Sequence, residues 1–346
     1  METIYWEVDK NVDSIESYPQ IKKAADLLKQ NEVVAFPTET VYGLGGNAKD
    51  DQAIKKIFAA KGRPSDNPLI IHIAKQEQIK EFVEEIPAVA KQLMEAFWPG
   101  ALTIILRIKR GVLSPYATAG LPTVGVRMPD HPVALKVIEK SNLPIAAPSA
   151  NQSGKPSPTS AVHVKEDLDG KIAGILDGGS TGVGVESTVI DCTDQMPTIL
   201  RPGGITIEQI EKIIGEVHLD AALTNKEAKP KSPGMKYSHY APDVPLFLVK
   251  GTKERLKLLI NEAKQKGKKV GVLTTKEHEN YFDADYIFAC GKREDLETVA
   301  AALYEGLRSF NYKDVDIIYS EMFPETGVGQ AVMNRLMKAA AHQVIE

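Results

Sequence analysis

Over the first two hundred residues, short apolar, β-branched runs alternate with stretches of helical period. The runs VVAFP (33–37), LIIHIA (69–74), ALTIILRI (101–108), VGVRM (124–128), PIAAP (144–148), GILD (174–177) and ESTVIDC (186–192) read as strands. A helix starts near Ser17, with Pro19 in its first turn and Ile21, Ala24, Ala25, Leu27 and Leu28 on one side. Further helices are read at 50–61, 87–97 and 206–215. Strands interleaved with helices in this way give an α/β layer structure on a twisted mixed sheet. The pattern restarts after Pro242 with PLFLVKG, KKVGVLTT and DVDIIYSEM, separated by helical stretches. That order reads as a smaller, Rossmann-like parallel α/β unit. Its Gly327–Gly329 element lacks the third glycine and the acid of a dinucleotide fingerprint. The expected organisation is a first domain over 1–218, a linker over 219–242 and a C-terminal domain over 243–346.

Composition narrows the class. At 346 residues the chain is long enough for two cores. With 42 basic against 46 acidic residues it carries −4 overall, which offers no general attraction for nucleic acid or an anionic membrane. Cys192 and Cys290 are far apart and form no CxxC, so neither a disulfide framework nor a thiolate metal site is expected. No run reaches the roughly 18 apolar residues of a membrane span, and the N-terminus has no apolar leader core. A cytoplasmic location is expected.

The polar residues that need an explanation sit at strand ends. PTETVYGLGGNA (37–48) leaves an apolar strand with Thr38, Glu39, Thr40 and Tyr42 ahead of three glycines, which suits either a turn or a pocket wall. KGRPSDNPLIIH (61–72) places Lys61 and Arg63 where they would complement a helix dipole or hold a polyphosphate, and sets His72 in an apolar strand. LPTVGVRMPDHP (121–132) puts Arg127 in another strand, where it requires a carboxylate from either the protein or a ligand. APSANQSGKPSPT (147–159) crowds small donors at a strand end, ESTVID supplies Ser187, and LRPGG supplies Arg201. There is no GxxxxGK[ST] or HExxH, so P-loop and zinc-hydrolase chemistries lack their parts.

These six motifs, in this order, resemble the YrdC/Sua5 family, the threonylcarbamoyl-AMP synthases that begin t6A formation in tRNA. The resemblance spans about residues 17–215, and the remainder, including SPGMKYSHYAP (232–242), resembles the long two-domain Sua5 type. It implies a YrdC-like twisted mixed sheet with flanking helices, and an enzyme, a nucleotidyltransferase, that converts L-threonine, bicarbonate or carbon dioxide, and ATP to threonylcarbamoyl-adenylate and pyrophosphate. By the resemblance, Thr40, His72, Arg127, Ala147 and Ser187 contact threonine. Lys61, Arg63, Asn67, Thr123, Ser149, Ser157, Arg201 and Tyr240 serve ATP, with charge stabilisation expected of Lys61 and Arg63. Mg2+ is expected to arrive on the ATP phosphates, with no metal site from a protein motif and no organic prosthetic group. The implied partners are these small substrates and, transiently, the downstream threonylcarbamoyl-transfer machinery; a tRNA contact stays open and no membrane is involved. The segment 232–242 is expected to act as a lid over the ATP site. The competing reading is a non-catalytic protein that binds double-stranded RNA or tRNA.

Overall fold

The computed structural model describes residues 2–9, 18–224 and 240–346. Most of SPGMKYSHYAP, including Lys236 and His239, lies outside them, as does the expected helix start at Ser17. The chain divides into two compact units. The first comprises residues 1–153, 158–182 and 186–236, and the second 154–157, 183–185 and 237–346.

Among the described residues the first unit is built on eleven strands: β1 (Ile4–Glu7), β2 (Val34–Phe36), β3 (Gly43–Asn47), β4 (Ile70–His72), β5 (Leu102–Arg107), β6 (Thr123–Arg127), β7 (Ile145–Ala146), β8 (Gly174–Asp177), β9 (Thr188–Asp191), β10 (Thr198–Arg201) and β11 (His218–Leu219). Their order is β1-β8-β2-β3-β7-β4-β6-β5-β9-β10-β11, with parallel and antiparallel pairs mixed as expected. The segment Gly43–Asn47 is a strand, so the turn, one of the two roles its composition suits, does not form there. Packing demands glycine at position 45, where a Cβ would lie 2.5 Å from the Phe36 ring and 2.9 Å from Ile145.

Period-two alternation sorts this sheet into two faces. Ile71, Val124, Val126, Ile104 and Ile190 enter the main core. Around β2 and β7 the opposite face is also covered: Val34, Phe36 and Ile145 pack with Ile21, Leu28 and Val137 of the helices Pro19–Lys29 and Pro132–Ser141. Further along, the same sheet face carries a separate small cluster of Ile105, Val189 and Leu200. A pocket opens there between Ile70, Thr103, Thr123, Gly125 and Val189.

Among its described residues the second unit has five strands, β12 (Leu246–Val249), β13 (Val270–Thr274), β14 (Tyr286–Ala289), β15 (Ile317–Glu321) and β16 (Val344–Ile345), in the order β14-β13-β15-β12-β16 and all parallel. The sequence pattern showed three of these; YIFA and the two-residue β16 are too short to carry a period. Gly329 opens the helix Gly329–Ala339, where a Cβ would lie 2.0 Å from the Pro324 carbonyl oxygen, so close packing accounts for this glycine. At the C-terminal end of β15 the buried Glu321 accepts from His278 at 2.8 Å and Arg293 at 2.9 Å, and from Thr274.

Candidate active site

His72 and Arg127 end the adjacent parallel strands β4 and β6 and pair in register. Both side chains leave the sheet on the face away from the main core, because their neighbours Ile71 and Val126 fill that core. Thr123 and Gly125 share their phase, and both line the pocket. Glycine is required at its floor: a Cβ on Gly125 would come within 2.9 Å of Thr103 Cγ2.

Burial sets the electrostatics. His72 is 3% exposed, and its imidazole is pushed down to about 3, first by burial and then by the Arg127 charge. The ring is therefore neutral at physiological pH. Its Nδ1 lies 3.2 Å from the Ile70 carbonyl oxygen, which assigns the proton to Nδ1 and leaves Nε2 as an acceptor. Arg127 donates from Nε to the Gly100 carbonyl at 3.3 Å, and its Nη2 lies 2.6 Å from Glu39 Oε1. The carboxylate that a buried arginine requires is thus supplied from PTETV. Asp130 is pushed up by partial burial and then by the charge of Glu39.

The other expected threonine contacts are placed as follows. Thr40 is fully buried, its hydroxyl 2.9 Å from that of Thr38, which also accepts from the Thr40 and Val41 amides and donates to the Val41 carbonyl. This side-chain-to-backbone set fixes the turn after β2. Ala147 donates its amide to the Ile70 carbonyl, and its Cβ lies 3.4 Å from where one on Gly43 would stand. Ser187 precedes β9, and its hydroxyl is 2.8 Å from that of Thr103.

Of the nucleotide set, Arg201 is buried and clamps Ser187, donating from Nε and Nη2 to its carbonyl and from Nη2 to its hydroxyl. The turn that follows packs onto the same segment, since a Cβ on Gly203 would lie 2.3 Å from the Glu186 carbonyl oxygen. LRPGG therefore shapes ESTVID. Lys61 is 2% exposed, and its Nζ donates to the carbonyls of Ser149 and Asn151 and to Asn151 Oδ1. Ser149 donates in turn to Asn151 Oδ1 at 2.6 Å. Half-buried Arg63 reaches the Asn67 and Pro68 carbonyls at 3.4 Å, while the buried Nδ2 of Asn67 has no acceptor among the described residues. Thr123 borders the same pocket beside Pro68 and Leu69.

Two expected ATP residues fall in the second unit. Ser157 is fully buried in the segment 154–157, where Arg308 donates to the Pro156 carbonyl at 2.7 Å. Tyr240 adopts a positive φ of 66° and stacks on Tyr304 at 5.2 Å, with the Arg335 guanidinium 5.8 Å from its ring centre.

Glu39, Thr103 and Asn151 stand beside these residues without having been assigned roles from the sequence. Thr103 was findable, as a polar residue at the outward phase of ALTIILRI, whose inward positions are all apolar. Both cysteines are buried thiols pushed up to about 12 by burial, which leaves them protonated. Among the described residues no cluster of three His, Cys, Asp or Glu side chains could hold a metal.

The fold and site define an α/β protein with a second parallel unit, in which one face of a mixed sheet presents a neutral histidine, an arginine and a pocket. The chain belongs to the Sua5/YciO/YrdC family: the family model described as "Telomere recombination" matches residues 26–203. A second model, described as "Threonylcarbamoyl-AMP synthase, C-terminal domain", matches residues 205–341. Threonylcarbamoyl-AMP synthase of Bacillus subtilis (strain 168) is 60% identical over 345 residues, covering 100% of both chains. The Pyrococcus abyssi enzyme of the same name is 51% identical over 332 residues, covering 94% of this chain and 96% of its own. Among solved structures, P. abyssi Sua5 complexed with L-threonine superposes with a TM-score of 0.92 at 48% identity, covering 99% of each chain.

Proposed function

We infer that this chain is a threonylcarbamoyl-AMP synthase, which joins L-threonine, bicarbonate or carbon dioxide, and ATP into threonylcarbamoyl-adenylate and releases pyrophosphate, the first step towards t6A in tRNA. The observation that carries the reading is the 60% identity to a threonylcarbamoyl-AMP synthase along the full length of both chains. The RNA-binding alternative is not favoured: the relatives are named as synthases, and the chain carries −4 overall.

In this reading the reacting carbamate, an anion, attacks the α-phosphate of ATP, so catalysis rests on positioning and charge neutralisation. Thr40, His72, Arg127, Ala147 and Ser187 take threonine. The acceptor Nε2 of the neutral His72 is suited to a hydroxyl donor, and Arg127 to a carboxylate. Arg63, Asn67, Thr123, Ser149, Ser157, Arg201 and Tyr240 take the nucleotide, and the orphan Nδ2 of Asn67 supports its assignment. Lys61 serves the phosphate end through the loop it holds. Mg2+ enters as part of the ATP substrate, bound through phosphate oxygens. The residues 1–218 act as the synthase domain, 219–242 as linker and lid, and 243–346 as the C-terminal domain. The protein works in the cytoplasm and hands its labile product to the next enzyme of the modification; no described helix is long and apolar enough to cross a membrane.

Purified protein incubated with ATP, magnesium, bicarbonate and threonine will release pyrophosphate in a threonine-dependent manner and form the adenylate, seen by mass spectrometry. Pyrophosphate release indifferent to threonine would remove the synthase reading. Within the site, Arg127→Ala will raise the KM for threonine much more than that for ATP.

A further inference from the structure

Glu39 brings a carboxylate into the site beside Arg127. Its side chain is 14% exposed and that of Arg127 5% exposed, and the two approach to 2.6 Å. The approach lies outside hydrogen-bond geometry: neither Glu39 oxygen receives a hydrogen bond from the described residues, and Arg127 Nη2 donates none. A buried ion pair held only for stability satisfies its remaining lone pairs and protons, because removing both charges from water otherwise costs more than their attraction returns. Here an anionic acceptor and a cationic donor are left side by side, each with unused capacity.

We propose that Glu39 receives the ammonium group of threonine while Arg127 receives its carboxylate, so that this ion pair reads the substrate as an α-amino-acid zwitterion. The inference rests on the synthase reading and adds a substrate contact to it. The substrate's two charged groups sit on one carbon, and an adjacent anion and cation match them in an alternating square. The turn that aims Glu39 is rigid, since the Thr38 hydroxyl gathers the amides on either side of the Thr40 peptide and Gly182 donates to the Glu39 carbonyl at 3.1 Å. Surroundings favour a cation at this carboxylate: His72 is neutral and adds no repulsion, and Asp130 adds negative potential.

The test compares L-threonine with 3-hydroxybutyrate, which lacks the amine, by calorimetric titration into the full-length protein and its Glu39→Gln and Glu39→Asp variants. The native protein will bind threonine roughly tenfold to a hundredfold more tightly than 3-hydroxybutyrate, as expected for a hydrogen bond to a charged group. Glu39→Gln will bring the two ligands near parity, largely by weakening threonine, and Glu39→Asp will restore part of the preference. If Glu39→Gln weakens both ligands alike, the carboxylate only supports Arg127 and the inference is overturned. The native protein alone keeps the question open to test should a variant fail to fold, because equal affinity for the two ligands also overturns it. Threonine-dependent pyrophosphate release together with equal affinities would remove this inference and leave the synthase reading intact; loss of threonine dependence in the native protein would remove both.

Discussion

His72 titrates far below an ordinary imidazole because it is enclosed by the sheet face and stands beside the Arg127 guanidinium. With its folded value near 3 and an unfolded value near 6.5, the unfolded chain binds more protons throughout that interval. Stability contributed by this residue is complete above about pH 6.5 and falls as pH drops, by up to about 1.4 kcal/mol per pH unit. Urea midpoints of the native protein and His72→Gln at pH 4, 5 and 7 will converge on acidification; parallel midpoints would mean that His72 is not held neutral. The position of His72 was legible in LIIHIA, where the alternation assigns Ile71 and Ile73 to one face and His72 to the other. Its neutrality was not, because that depends first on burial and then on an arginine alongside, both supplied only by the tertiary fold. Glu39 stayed hidden for the same reason: the sequence shows that Arg127 needs a carboxylate, but only the tertiary fold selects which one.

At the scale of elements, Lys61 ties the last turn of the helix Asp51–Lys61 to the loop after β7. Read from the sequence it is a cation in a helix C-terminal turn, and nothing local indicates that its ammonium is spent on two carbonyls and an amide oxygen ninety residues away. The two roles are separable. Lys61→Met removes the buried ammonium from the Ser149 and Asn151 carbonyls, and it will destabilise the ligand-free protein by roughly 1–3 kcal/mol as well as lowering synthesis. A side chain that served only ATP phosphates would leave ligand-free thermal unfolding unchanged, and that result would exclude the loop-holding role. The glycine strand β3 marks another limit of local reading. Gly43, Gly45 and Gly46 look like turn formers, yet they extend as a strand, and at Gly45 and Gly46 the side chains of Phe36, Ile145 and Ile57 occupy the space where a Cβ would stand. Longer periodic elements needed no such context, and the helix expected at 87–97 forms as Ala88–Phe97.

At the scale of the molecule, the division of the chain is more interleaved than the expected succession of domain, linker and domain. Residues 154–157 and 183–185 lie in sequence between strands of the first sheet but group with the second unit. Gly184 shows how closely the second of these packs there: at φ +78°, a Cβ would stand 2.3 Å from the Ala301 Cα, in the helix Leu296–Ser309. Arg308 of that helix holds the Pro156 carbonyl next to Ser157, a proposed ATP contact. A cut near Gly215, where the resemblance of the first domain ends, would also strip β11, which pairs with β10. A protein ended after Thr224 retains all eleven strands of the first sheet and should unfold cooperatively, but it lacks the packing partners of both short segments. Its synthesis will be much reduced, and hydrogen exchange at 154–157 and 183–185 will be faster than in the whole chain. Arg308→Ala in the full-length protein will reproduce the faster exchange at 154–157 alone and raise the KM for ATP more than that for threonine. If the shortened protein matches the whole chain in both turnover and exchange, the second unit has no part in ordering these segments, and their proposed service to the nucleotide fails with it.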